Sequence, residues 1–138
     1  MRIERYLGLS AAARPDKTAL VADRRRLDYR ELDDLTDRLA TTLATNGVKR
    51  GDRVLVFMDN CREAAVSVFA VLKAGAVFCL VNPSTKADKL AYIVADCEPA
   101  AVLTLARLMP VVSEALAGCD SVFLASTHGA DDAVPAGA

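Results

Sequence analysis

The sequence predicts an α/β fold: a doubly wound, mostly parallel sheet flanked by helices, with a small hairpin near the N-terminus. Three observations predict it. Short apolar runs without polar alternation recur at Arg53–Phe57, Val77–Val81, Ala101–Leu105 and Ser121–Ala125, the pattern of strands buried on both faces. Between them lie segments with apolar residues at helical spacing, and alternating strand and helix makes a layered parallel sheet. The helical segments close on signals such as Asn46-Gly47, Gly75 and Gly118, where glycine takes a left-handed turn without a Cβ penalty.

Taken in order, Ile3 to Ala13 places Ile3, Tyr6, Leu7 and Ser10 on one helical face and stops at Arg14-Pro15. Thr18–Ala22 and Arg26–Asp28 form the hairpin, with the charged run Asp23–Arg25 at its tip. The three arginines Arg24–Arg26 read as a solvated turn in preference to an anion site. Asp28 then stands as N-cap three residues before Glu31, while Leu27 and Leu32 occupy the positions of a hydrophobic staple. Leu32, Leu35, Leu39 and Leu43 mark the buried stripe of the long helix that follows, and Asp33, Asp34, Asp37 and Arg38 face water. After Asn46-Gly47, Val48 folds back onto Leu43.

Arg53–Phe57 is the first buried strand. Asn60 with Glu63 repeats the capping-box spacing and opens a helix to Lys73-Ala74 that is apolar nearly all round. Val77–Val81 completes a βαβ unit expected to cross over right-handed. A helix from about Lys86 to Asp96, a strand Ala101–Leu105, a helix Arg107–Ala117 with Pro110 in its first turn, and a strand Ser121–Ala125 complete the fold. Residues 1–125 read as one domain. Residues 126–138, rich in Thr, His, Gly, Asp, Ala and Pro without periodicity, read as a disordered tail or severed linker.

Composition excludes several functions. The 17 Lys and Arg against 18 Asp and Glu leave a formal charge of -1, so no net field favours nucleic acid or acidic membranes. The longest apolar run, Ala74–Val81, is far shorter than the ~20 residues that span a bilayer, and the N-terminus is no secretory leader. A cytoplasmic location is expected. At 53% hydrophobic residues, some apolar surface is expected to be covered by further protein or by self-association. Cys61, Cys79, Cys97 and Cys119 are spaced too widely for a metal knuckle and read as small, reduced, buried side chains. The only histidine, His128, sits in the tail and carries no assigned role.

A phosphate-binding loop needs clustered glycines whose N–H groups converge on an anion. The seven glycines here are isolated, and neither GxxxxGK nor GxGxxG occurs. The adjacent carboxylates Asp33-Asp34 and Asp131-Asp132 read as solvated, since acid–base work needs convergence in a cleft. No catalytic residue and no metal ligand is assigned. The most suggestive stretch is Asn82-Pro83-Ser84-Thr85-Lys86, which follows the carboxyl end of a predicted strand, where open α/β sheets hold ligands. The competing reading has Asn82-Pro83 breaking the strand and Ser84 or Thr85 capping the next helix.

Several blocks together resemble the N-terminal region of the adenylate-forming superfamily, the AMP-dependent acyl-CoA synthetases and ligases, fatty-acid–CoA ligases among them. They are Arg14-Pro-Asp-Lys-Thr-Ala-Leu-Val21, Leu27-Asp-Tyr-Arg-Glu-Leu32, Gly47-Val-Lys-Arg-Gly-Asp-Arg-Val54, Asn60 with Glu63, Leu72-Lys-Ala-Gly-Ala76, and Val81-Asn-Pro83 leading to Leu90-Ala-Tyr92. The resemblance implies a ligase that uses ATP and Mg²⁺ to convert a carboxylic acid to an acyl-adenylate and passes the acyl group to the thiol of coenzyme A or a carrier. The family does so with a Ser/Thr/Gly-rich loop ending in lysine, an aromatic-Thr-Glu motif, a ribose-binding aspartate and a lysine on a mobile C-terminal domain, none of which occurs here. Asn82, Ser84 and Lys86 are the candidate binding residues, as a border of the thiol-acceptor channel; some relatives carry a basic residue where this chain has Ser84.

The expectation is an N-terminal fragment of such a synthetase, inactive alone, whose partner is the remainder of the enzyme. The second reading is a free-standing, non-catalytic binding or interaction module on the same scaffold. The third, an unrelated flavodoxin-like or Rossmann-like cofactor binder, is opposed by the missing glycine loop.

Overall fold

A computed structural model describes residues 2–22, 24–119 and 121–127. Helix α1 spans Ile3–Ala13, and strands β1 (Thr18–Ala22) and β2 (Arg25–Asp28) form the antiparallel hairpin. Then come α2 (Tyr29–Thr45), β3 (Arg53–Phe57), α3 (Arg62–Lys73), β4 (Val77–Val81), α4 (Ala87–Cys97), β5 (Ala101–Leu105), a 3₁₀ turn (Ala106–Leu108), α5 (Met109–Ala115) and β6 (Phe123–Thr127). The four later strands make one parallel sheet in the order β4-β3-β5-β6.

Helix α2 shows how local chemistry sets the element. The Asp28 carboxylate accepts from the Glu31 N–H at 2.8 Å, satisfying one of the donors orphaned at a helix start. Leu32, Leu39 and Leu43 are buried, with Leu35 partly so. Thr36 is fully buried as well, because its hydroxyl donates back to the Leu32 carbonyl at 2.8 Å. At the far end Gly47, at φ 92°, lets the Val48 N–H reach the Leu43 carbonyl at 3.0 Å. Gly75, at φ 77°, closes α3 in the same way through the Ala76 N–H and the Val71 carbonyl.

Strands β3 and β5 occupy the centre and form the floor of the main core, in which Val54, Leu55, Val56, Phe57 and Ala101–Leu105 are buried. Helices α1, α2 and α3 pack together, and α4 packs on α5. The connection β3→β4 runs one way along the sheet and β4→β5 runs back past β3, so right-handed crossovers set these two helical groups on opposite faces. A smaller cluster of Leu7, Leu27 and Leu32 joins the hairpin to α1 and α2.

Several expectations are corrected. Val77–Val81 is an edge strand, with Val77 49% and Leu80 64% exposed, because the chain reverses direction after it and no further strand among the described residues pairs with its outer side. Helix α3 begins at Arg62 with Cys61 as N-cap and no side-chain capping bond, so Asn60 and Glu63 do not form a capping box. On α1 only Leu7 is buried; Ile3 and Tyr6 are exposed, since the hairpin and α2 cover a narrower stripe than the spacing suggested. The cysteines are less buried than expected: Cys61, Cys79 and Cys97 are half-buried and Cys119 is exposed, all as free thiols. Strand β6 takes in Ser126 and Thr127, which the sequence reading placed in the tail. Asp23, His128 and Asp131-Asp132 lie outside the described residues.

Candidate functional site

Because β4 and β5 leave β3 in opposite directions, the sheet has its switch point between the carboxyl ends of β3 and β5, where open α/β sheets form a crevice. The Thr104 hydroxyl, buried at the end of β5, donates to the Phe57 carbonyl at 2.7 Å and ties the two strand ends together. Just beyond them Asp59, following β3, and Arg107, following β5, form an ion pair across the mouth. Both are about half exposed, which limits such a pair to under about 1 kcal/mol.

Beside this crevice lies a cavity of about 150 Å³, lined chiefly by Leu35, Leu39, Met58, Glu63, Leu103 and Ala125. Helix α3 delivers Glu63 into it from the first turn. The Arg62 guanidinium pairs with Glu63 Oε1 at 3.1 Å, and the Glu63 side chain is only 11% exposed. The Ser67 hydroxyl donates to the Glu63 carbonyl at 2.7 Å. Glu63 Oε2 is buried with no hydrogen-bond partner, a costly state for a carboxylate oxygen. Burial pushes the neighbouring Cys61 thiol above its ordinary value; the Ala64 backbone opposes this, and the Glu63 charge adds to it.

The sequence candidates lie elsewhere. Asn82, Ser84 and Lys86 are brought together at the carboxyl end of β4, the edge strand, and all three are exposed. Their polar groups make a local turn: Asn82 Oδ1 accepts from the Ser84 N–H at 2.9 Å and the Ser84 hydroxyl at 2.8 Å, and the Thr85 N–H donates to the Asn82 carbonyl at 3.0 Å. Lys86 is the N-cap of α4 and makes no side-chain capping bond, so neither Ser84 nor Thr85 holds that position. Glu63 carried a sequence signal in hindsight, an acid set among Ala64, Ala65 and Val66. The Asp59–Arg107 pair carried none, being assembled by the sheet alone.

Among the described residues the glycines do not converge into a cradle for a triphosphate. The positive-φ glycines Gly47, Gly51, Gly75 and Gly118 stand in separate turns, and a Cβ added at Gly47, Gly51 or Gly118 meets nothing within 4 Å. No backbone cradle is held open there. Among the described residues no group of three His, Cys, Asp or Glu side chains gathers to hold a metal ion.

Fold and crevice define an open, doubly wound α/β layer structure with its ligand edge at the carboxyl ends of β3 and β5. Comparison with known proteins narrows the class. The profile of the family described as AMP-binding enzyme matches residues 8–135, and the chain belongs to that family. A long-chain-fatty-acid–CoA ligase of Bacillus subtilis (strain 168) is 37% identical over 103 residues, which cover 73% of this chain and 18% of the relative. A dimodular nonribosomal peptide synthase of the same organism is 37% identical over 94 residues, covering 68% of this chain and 4% of the relative. The crystal structure of a benzoate CoA ligase from Burkholderia xenovorans LB400 superposes with a TM-score of 0.85 at 26% identity, over 91% of this chain and 26% of that one. The chain thus spans a minor part of the length of the proteins it resembles. Among the described residues no helix is long and apolar enough to cross a membrane.

Proposed function

We propose that this chain is the N-terminal structural part of an ATP-dependent acyl-CoA synthetase or ligase, and that it has no adenylating activity alone. The observation that carries the reading is the family match across residues 8–135 of a chain that spans only a fraction of its relatives. The parent enzyme adenylates a carboxylic acid with ATP and Mg²⁺, then forms a thioester. The acceptor is coenzyme A or a carrier-bound thiol, since both acid–CoA ligases and a nonribosomal synthase are among the relatives. A cytoplasmic location belongs to the same reading.

The contribution of these residues is mechanical. Strands β3 and β5 hold the crevice edges in register through Thr104, and no adenylation step is assigned to any side chain here. Asn82, Ser84 and Lys86 would serve the parent enzyme by shaping the turn after β4, with the exposed Lys86 ammonium available to an anionic part of the thiol substrate. The purified chain should show no carboxylate-dependent exchange of pyrophosphate into ATP; exchange above a protein-free blank overturns the inactivity. Read-through of the gene beyond codon 138 tests the rest: a Ser/Thr/Gly-rich loop in frame supports the synthetase, and a stop codon supports the free-standing module.

A further inference from the structure

We propose that α1 and the β1–β2 hairpin form a docking face for an anionic lipid bilayer, which the chain meets from one side without crossing it. Charge separation is the first argument. Residues 1–26 carry seven Lys and Arg against three Asp and Glu, and the rest of the chain carries ten against fifteen. The formal charge of -1 therefore conceals a positive N-terminal layer on a negative body, and such asymmetry sets up a local field that the total does not report.

The fold gathers these residues on one side. Helix α1 and the hairpin both pack on α2 and α3, and their inner sides meet at Leu7, Leu27 and Leu32. Their outer sides are apolar and basic together. Ile3, Tyr6 and Leu9 recur at every third position of α1 and are 65%, 57% and 55% exposed, so they share one side of the helix. Arg2 and Arg5 beside them are exposed as well. On the hairpin Val21, 62% exposed, stands opposite Arg26 in the strand register, and Arg24, Arg25 and Arg26 are all exposed. Two acids nearby do little to offset them: the Glu4 side chain is only 13% exposed, and the Asp16 carboxylate is paired with Arg30 at 3.1 Å.

The apolar residues choose the occupant. Arginines alone suit any polyanion, but Ile3, Tyr6, Leu9 and Val21 gain nothing from the hydrated backbone of a nucleic acid. Against a leaflet, an amphipathic helix sinks its apolar side chains below the headgroups while its cations meet the anionic lipids. Tyr6 suits that boundary, with an apolar ring and a polar hydroxyl. The negative remainder of the chain is repelled by the same surface, which fixes the orientation.

The inference is independent of the adenylating reading, since a chain without exchange activity can still bind vesicles. The test is co-sedimentation of the full chain with vesicles of equimolar phosphatidylserine and phosphatidylcholine, beside vesicles of phosphatidylcholine alone and a vesicle-free blank. The chain should pellet with the mixed vesicles at low salt, stay in solution with the neutral ones, and be released as added salt screens the attraction. Arg26→Ser should weaken binding about fivefold, the contribution of one basic side chain near such a surface. Leu9→Ser should weaken it about tenfold, the span for returning one aliphatic side chain to water. Tyr92→Ser, at an exposed apolar position on α4, should change nothing. All three side chains are exposed, so the variants should fold as the parent chain does, and the two lipid compositions decide the matter without them. No pelleting with the mixed vesicles above the blank, equal pelleting with both compositions, or an equal loss in Tyr92→Ser would overturn the proposal. Single-stranded RNA that binds as tightly as the mixed vesicles and displaces them would overturn it too, by assigning the face to nucleic acid.

Discussion

Lys73 shows what a single side chain settles. Its ammonium lies 2.7 Å from Asp33 Oδ1, 2.7 Å from Asp37 Oδ1 and 3.1 Å from the Asp33 carbonyl, and the side chain is only 13% exposed. The pair of acids that reads in the sequence as a solvated face is thereby the anchor of α3 on α2. Lys73→Met should lower stability by about 1–3 kcal/mol, the range for a lost hydrogen bond to a charged group, as a shift in urea midpoint with unchanged slope. Asp37→Asn, at a position 63% exposed, should cost less than about 0.5 kcal/mol. The thiols differ just as clearly. Burial raises Cys61 and Cys97 above their ordinary 9.0, whereas Cys119 is exposed. Iodoacetamide at pH 8 should therefore label Cys119 first, as read by peptide mass mapping. A raised folded value means the proton is held more tightly in the folded chain. That contribution is complete below the unfolded value and is lost as pH climbs through the folded one, so Cys61→Ala should flatten the fall in melting temperature above pH 9.

At the scale of elements, caps separate appearance from function. Asp28 accepts from the Glu31 N–H, whereas the same spacing at Asn60 and Glu63 yields no cap. Asp28→Ala should lower the melting stability by about 1 kcal/mol and Asn60→Ala by less than about 0.5, measured by thermal denaturation. The contrast marks the limit of what local pattern conveys. Helix α2 and strands β3 and β5 were legible because a leucine stripe or an unbroken apolar run allows one period only. The start of α3 was not, because the Glu63 side chain is drawn to Arg62 and into the cavity, contacts that a four-residue motif does not encode. Strand β4 was legible as a strand but not as an edge: Val-Phe-Cys-Leu-Val is as apolar as β3, and only the sheet order leaves Leu80 uncovered. Through Asn82 the sequence points to the carboxyl end of a strand, where open α/β sheets hold ligands. The crevice itself, however, depends on β3 and β5 meeting, which is a long-range event.

For the molecule as a whole, the sheet order is the governing fact. Among the described residues it leaves β4 with an open backbone edge and apolar side chains at Val77 and Leu80, and such edges template pairing with other chains. Light scattering should report a mass above the monomer that grows with concentration, and Leu80→Lys should return it toward the monomer; a strict monomer at high concentration contradicts this. The same order has a bearing on synthesis. Strand β3 leaves the ribosome before any of its neighbours, yet it ends up between two of them, with Val54–Phe57 waiting for Ala101–Thr104. Until Leu105 has emerged, a nascent chain carries Val54–Phe57, buried in the finished fold, with one flank bare. The hairpin and α2 can form early from local contacts, but the centre of the sheet must be held safe, by chaperone or by speed, until the chain doubles back.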